Sequence, residues 1–470
     1  MKFKTNLVVG AVFAALLAFV YLYEIKGGEE RRQAAEQSKK ILDFKVSEVT
    51  RLVVLNGQER IEVGREGNDW LMLSPVRDEA DSEAIDRYLR NLSESEREKT
   101  IVDSTDAMAP EVADQYGLEI PRLRVFIETK QGPLDTLLFG ADAPTDRFTY
   151  LKTTGVNPKI DVVRAWRYDN LGKASFDLRN RKVSNLAQSD LTAVRKISVD
   201  GPDIVILKSG ESWQLTEPVV ARADRDTVDA LLGNIQNSEV IEFVNENPSD
   251  EDLENYGLTV DQAIRWTLVA KGEEDPEAGM FYGSVDEIDH LFIGRKDEDG
   301  RYFALNPERA PVFLVDSTLV RQLQLSTYDL RDKNPVRFVR DQITDIHVKR
   351  NGTTGFEALK DTAGVWSLKK PLQEPAKSWK INTLLTDLLD LRTLSFEQVP
   401  QAESILDIYL NGEEGIVAEL NFSIVDGEIF LELADGAEAY RIDADTFVDI
   451  DLDVDDVRQE ASSVDTVSTR

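Results

Sequence analysis

The sequence predicts an α+β protein: an N-terminal apolar helix followed by three related units, each a mainly antiparallel sheet with a packed helix. Three observations predict it. Residues Leu7 to Tyr23 form a charge-free apolar run. A Trp-x-[Leu/Met]-x-x-Pro pattern then recurs at Trp70–Pro75, Trp213–Pro218 and Trp366–Pro371, offset by 143 and 153 residues. The same helical apolar frame follows each copy.

The composition bounds the function. The chain has 470 residues, length for about three domains, and 41% hydrophobic residues, enough to bury real cores. Its formal net charge is −32. That charge repels phosphate backbones, so no nucleic-acid partner is expected. There are no cysteines. Disulfides, thiolate metal sites and a cysteine nucleophile are therefore excluded.

Residues 1–6 read as a short cytoplasmic tail and 7–23 as a transmembrane signal anchor. The bulky end of the run (Phe19, Tyr21, Leu22, Tyr23) lacks the small residues of a cleavage site. A cleaved signal peptide is the alternative. Lys2 and Lys4 precede the run; Lys26, Arg31, Arg32, Lys39 and Lys40 follow it. A naive count of those charges favours a cytoplasmic body, but long domains translocate largely regardless of flanking charge. The expected location is the inner membrane, single-pass, with the body on the periplasmic side. Residues 24–42 are polar and read as a stalk, with Glu36 and Lys40 a favourable i, i+4 pair.

The repeats cut the body into unit 1 (43–183), unit 2 (184–335) and a shortened unit 3 (336–457), before a flexible tail (458–470). Alternating strands such as Ile61–Val63 and Val205–Leu207 precede each Trp. Proline has no N–H and suits a strand end. The helix frame is Ile85, Leu89, Leu92, then Val228, Leu232, Ile235, then Ile381, Leu385, Leu388. Units 1 and 2 also share Tyr116-Gly117-Leu118 with Tyr256-Gly257-Leu258, Phe139-Gly140 with Ile293-Gly294, Tyr150 with Tyr302, and Asp177-Leu178-Arg179 with Asp329-Leu330-Arg331. Unit 3 lacks the Tyr-Gly-Leu element but keeps strand-like runs at Ala418–Ile424 and Ile429–Leu433.

These repeated residues form a structural signature. The tryptophans fill each strand–helix core rather than forming a ligand platform. Gly117 and Gly257 supply φ > 0 after a short helix, with the following Leu packing inward. Gly140 and Gly294 read as turn glycines, and Asp297–Gly300 as a hairpin turn. No catalytic, cofactor or metal residue is expected. Ser367-Leu-Lys-Lys370 matches Ser-x-x-Lys, but inside a strand the two side chains face opposite ways. His290 and His347 lack an acidic cluster. Asp449 to Asp456 carries acids at positions one, three and five of a calcium loop, and Glu460 falls at twelve. Val454 replaces the required glycine, and Ile450, Leu452 and Val454 alternate as in an edge strand, so calcium is the weaker reading.

The anchor, the Trp-to-Pro repeat, the Tyr-Gly-Leu turn, the strand glycine and the Asp-Leu-Arg ending together resemble the domain-of-unknown-function family DUF4340, over about residues 43–453. The resemblance implies a membrane-anchored envelope protein encoded beside ABC exporter permeases and gliding-type auxiliary proteins. It assigns no catalytic residues. The expected function is a non-enzymatic accessory protein of an ABC-type exporter, its partner a permease or auxiliary subunit. The alternative is an envelope binding module that captures a peptide, glycan or lipid between repeat units.

Overall fold

The computed structural model describes residues 37–103, 107, 109–145, 147–155, 157–270, 287–398, 402–434, 436 and 438–459, with Phe13 and Tyr21. The expected anchor, residues 7–23, otherwise lies outside the described residues. Among those described, no helix is long and apolar enough to cross a membrane.

The first repeat runs β1 (Val49–Asn56), β2 (Glu59–Glu66), β3 (Asp69–Ser74), β4 (Asp78–Glu79), α1 (Ser82–Ser93), β5 (Lys99–Asp103), α2 (Pro110–Gln115), β6 (Leu123–Thr129), β7 (Gly132–Pro133), β8 (Thr136–Asp142), β9 (Phe148–Thr154), β10 (Lys159–Arg164), α3 (Ala165–Leu171) and α4 (Ser175–Leu178). The second runs β11 (Leu191–Ile197), β12 (Ile204–Ser209), β13 (Ser212–Glu217), β14 (Ala221–Arg222), α5 (Arg225–Asn237), β15 (Glu242–Asn245), α6 (Asp250–Tyr256), β16 (Ile264–Ala270), β17 (Glu287–Lys296), β18 (Tyr302–Leu305), β19 (Val312–Val315), α7 (Ser317–Leu323) and α8 (Thr327–Leu330). The third runs β20 (Asp345–Arg350), β21 (Thr353–Lys360), β22 (Trp366–Lys370), β23 (Glu374–Pro375), α9 (Ser378–Asp390), β24 (Thr393–Glu397), β25 (Ser404–Gly412), β26 (Gly415–Val425), β27 (Glu428–Leu433), β28 (Ala439–Ile442), α10 (Ala444–Ile450) and α11 (Val454–Val457).

The three sheets share one topology. The orders are β4-β3-β2-β1-β6-β8-β9-β10-β5, β14-β13-β12-β11-β16-β17-β18-β19-β15 and β23-β22-β21-β20-β25-β26-β27-β28-β24. The short β7 pairs with β6 beside the first path. Each sheet is therefore two antiparallel meanders joined through their first long strands, with the strand after the helix at the far edge. Tight turns suffice for the antiparallel neighbours.

The chain forms two compact units. The first comprises residues 1–183, 239–252 and 305–314; the second comprises 184–238, 253–304 and 315–470. In the first, Trp70, Met72, Ile85, Leu89 and Leu92 share a core with Leu52, Val54, Ile61 and Phe139. Ile41 and Leu42 are buried in that core. In the second, Trp366, Ile381, Leu385 and Leu388 share a core with Phe356, Leu406, Phe422 and Phe447.

Two expectations need correction. The acidic stretch is not an edge strand: Asp449 and Ile450 end α10, and Val454–Val457 is α11. Phe447 and Ile450 are spaced three apart and buried on one helical face. Asp443 and Asp453 accept hydrogen bonds from helix-start amides, so these acids cap helices. Gly140 and Gly294 are not turn residues; they lie inside β8 and β17.

Candidate functional site

Each repeat is organised around its tryptophan, and Trp70, Trp213 and Trp366 are all buried. The Trp carbonyl accepts from the backbone N–H ten residues on: Ala80 at 3.1 Å, Ala223 at 3.1 Å and Ala376 at 3.2 Å. The strand ends one residue before Pro75, Pro218 and Pro371, and all three X–Pro bonds are cis. The helix frame is buried in every copy. A cation covers each indole: Arg65 at 4.7 Å, Lys208 at 5.7 Å and Lys360 at 5.9 Å from the ring centroid. The first and third indole N–H groups donate to Asp86 (3.2 Å) and Asn382 (3.3 Å), sixteen residues on. The tryptophans are spent on the core.

The Tyr-Gly-Leu turn and the strand glycine are one device. Gly117 and Gly257 have φ of +67° and +70°. That conformation turns the Tyr116 and Tyr256 carbonyls onto the strand glycines, where a Cβ on Gly140 or Gly294 would overlap them. The Ala141 N–H donates to the Tyr116 carbonyl at 2.9 Å. Leu118 and Leu258 are buried. Tyr116 packs on Tyr150 with centroids 4.7 Å apart, whereas Tyr256 packs on Phe303 at 4.4 Å. Tyr302, the residue matched to Tyr150 by sequence, lies under Lys296 instead. Strand alternation puts neighbouring residues on opposite faces.

Every repeat closes on an arginine. Ala80, Ala223 and Ala376 form isolated bridges with Arg179, Arg331 and Arg458. On either side run the same hydrogen bonds. Asp81, Asp224 and Lys377 N–H donate to the carbonyls of Leu178, Leu330 and Val457; Asn180, Asp332 and Gln459 N–H donate to those of Glu79, Arg222 and Pro375. Asp456-Val457-Arg458 is thus a third copy of the Asp-Leu-Arg ending. Sequence reading missed it inside the acidic run; the Leu-to-Val change and the dense acids hid a recurrence that was there to find.

In the first unit the closing arginine sits in a buried charge cluster. Arg179 Nε donates to Asp78 at 2.6 Å, and both Nη atoms grip Glu246 at 2.7 and 2.8 Å. Arg309 donates to both Asp78 oxygens, at 3.2 and 2.8 Å, and to the Asn180 carbonyl at 3.0 Å. The Arg179 guanidinium stacks 3.5 Å from the Phe243 centroid. Phe243 in turn meets Phe176 and Phe313 edge-on. Burial pushes the Asp78 carboxyl up, but Arg309 and Arg179 outweigh it and hold it below the ordinary range. Burial likewise lowers Arg179, and the Glu246 and Asp78 hydrogen bonds outweigh it and raise it. Two anions and two cations are mutually satisfied, as a buried cluster requires.

In the second unit Arg331 stacks on Phe396, again at 3.5 Å, and Phe396 meets Tyr328 and Tyr440 edge-on. Its Nη2 donates to Glu438. Beside it a groove of about 500 Å³ carries Arg222, Arg331, Arg337, Asp332, Glu419, Glu438, Phe396 and Tyr440, with apolar walls from Val220, Val336, Val417 and Leu433; the groove beside Arg179 in the first unit is smaller, about 300 Å³. Arg337 pairs with Asp332.

The remaining candidates resolve as structural pairs. Lys370 Nζ donates to Glu357 at 2.6 Å, and Ser367 Oγ to the Leu359 carbonyl at 3.4 Å. His290 Nδ1 lies 3.1 Å from Thr267 Oγ1, and His347 Nε2 lies 3.0 Å from Asp345. Among the described residues no three His, Asp or Glu side chains gather to hold a metal ion. Glu460, the twelfth position of the calcium pattern, lies outside those residues.

Fold and joints define three tandem α+β repeats, each carrying an alanine–arginine bridge. The family described as Domain of unknown function (DUF4340) matches residues 70–212 and 213–407, and the chain belongs to that family. Each match begins at a repeated tryptophan, Trp70 or Trp213. No curated protein matches the chain. Among solved structures, a DnaN sliding clamp (DNA polymerase III subunit beta) from Pseudomonas aeruginosa bound to griselimycin matches at 9% identity over 86% of this chain and 93% of that one. The TM-score is 0.12, too low to relate the two folds.

Proposed function

We propose that this chain is a single-pass inner-membrane protein whose periplasmic body acts as a non-enzymatic accessory subunit of an ABC-type exporter. The observation that carries the reading is the uninterrupted apolar run Leu7–Tyr23 ahead of a body made of three like-built repeats. An anchor holds such a body close to a membrane partner and raises its effective concentration without strong contacts. The buried charges of Asp78 and Arg179 support the non-enzymatic part, because they are paired with one another in a joint. The test is a crosslinked pull-down from membranes of the full chain beside a form lacking residues 1–23. Exporter subunits recovered only with the anchored form are expected. Recovery of no membrane protein by either form would overturn the reading.

A second reading is favoured by the open groove of the second unit. In it the body captures a ligand beside Arg331.

A further inference from the structure

The three closing arginines differ in what meets their Nε. The residue two positions before each bridged alanine is Asp78, Ala221 or Glu374. Cross-strand register puts these in equivalent places: Asp78 opposite Met72, Ala221 opposite Leu215 and Glu374 opposite Leu368. Arg179 Nε donates to Asp78 at 2.6 Å, and Arg458 Nε donates to Glu374 at 2.7 Å. In the second repeat that place is Ala221, and Arg331 Nε has no hydrogen-bond partner among the described residues. Arg331 is only 8% exposed. A buried guanidinium N–H left unpaired is costly, so an acceptor is wanted there.

A second loss accompanies the first. Arg309, which holds the other side of Asp78, stands three residues before Val312 of β19. The corresponding place before Ala439 of β28 is Gly436. The second joint holds a groove of about 500 Å³, against about 300 Å³ beside Arg179, Phe243 and Glu246 in the first. Arg222, exposed and without an ion pair among the described residues, lines the same groove as Arg331 Nε. Val220, Val336, Val417 and Leu433 give it apolar walls.

We propose that this groove binds a peptide segment through a carboxylate, which gives Arg331 Nε the acceptor that Asp78 and Glu374 provide to its counterparts. The carboxylate belongs to an acidic side chain or to a peptide C-terminus, and the apolar walls take a neighbouring aliphatic residue. Arginine suits the task because its fixed donors match a planar carboxylate. The inference deepens the ligand-capture reading and rests on it; it does not depend on the anchor or on an exporter.

The test is fluorescence anisotropy on the full chain in detergent with three fluorescein-labelled peptides. They are Gly-Gly-Val-Glu-Val-amide, its Gln analogue as the amide, and the Gln analogue with a free C-terminus. At least one carboxylate peptide is expected to bind at least about tenfold more tightly than the amidated Gln peptide. Whichever carboxylate peptide wins names the source. Ala221→Asp places the missing acceptor inside the chain and is expected to weaken that binding by at least about tenfold without lowering the unfolding midpoint. Arg222→Gln, on the exposed rim, is expected to weaken binding and flatten its salt dependence. Should Ala221→Asp fold poorly, Arg222→Gln alone decides. Equal binding of all three peptides, absence of binding, or affinity unchanged by a folded Ala221→Asp and by Arg222→Gln would overturn the proposal. None of these outcomes bears on the membrane pull-down.

Discussion

Arg179 and Arg331 occupy the same place after the same Asp-Leu dipeptide, and each stacks 3.5 Å from a phenylalanine. Arg179 then meets Asp78 and Glu246, with Arg309 completing a closed set of charges. Arg331 meets Glu438 and keeps an unpaired Nε. The aromatic half of the joint is thus common to both, and the ionic half is not. What differs is not the arginine but what stands around it: Asp78 against Ala221, and Arg309 against Gly436. The comparison teaches that a repeated motif fixes a scaffold while substitutions beside it decide which side chains the closing arginine pairs with.

The largest expected effect separates the two joints. Arg179→Met leaves Asp78 and Glu246 short of a cation and should cost about 3–5 kcal/mol, as for other broken buried pairs. Arg331→Met removes one ion pair from an open groove and should cost about 1–3 kcal/mol. Urea unfolding of both variants reads the difference, and equal losses would break the comparison.

Next comes a feature the first two repeats share. Gly140→Ala pushes a methyl group into the Tyr116 carbonyl and should cost about 1–3 kcal/mol by overpacking. Gly294→Ala meets Tyr256 in the same way and should cost a similar amount. A loss at one glycine alone would show that the turn device is not equivalent in the two copies.

The smallest effect, a change of one stability gap with pH, sharpens the electrostatics. Asp78 is held below its ordinary range, so the folded chain binds its proton less readily than the unfolded chain. Its stabilisation is complete above the unfolded value, about 3.9, and is lost as pH falls through the lower folded value. Asp78→Asn should therefore be less stable than the parent near pH 7, with the gap closing as pH falls below the ordinary aspartate range. Unfolding midpoints of both proteins across that range check it. A gap that stays constant with pH would remove the charge from the account of the first joint.

Much of this fold was legible as spacing. The five-residue step from Trp to Pro and the apolar positions ten, fourteen and seventeen residues beyond each Pro mark a strand end and a buried helix face. Such local periodicities are written in consecutive residues, so the sequence carries them directly. The acidic run was misread for the same reason: Ile450, Leu452 and Val454 alternate like a strand, whereas the region forms two helices capped by Asp443 and Asp453.

The joints were not legible. Composition and repeat spacing by themselves determined three α+β repeats, their tryptophan cores and the apolar run at the N-terminus. The tertiary structure alone decided that Gly140 answers Tyr116, that Asp78 meets Arg309 across 231 positions, and that Arg331 Nε has no acceptor among the described residues. The physical reason is range. Backbone preference and amphipathicity act between neighbours in sequence, whereas a buried charge is judged by whatever the folded chain brings within hydrogen-bond distance, and with 87 acidic residues the sequence does not say which one that is.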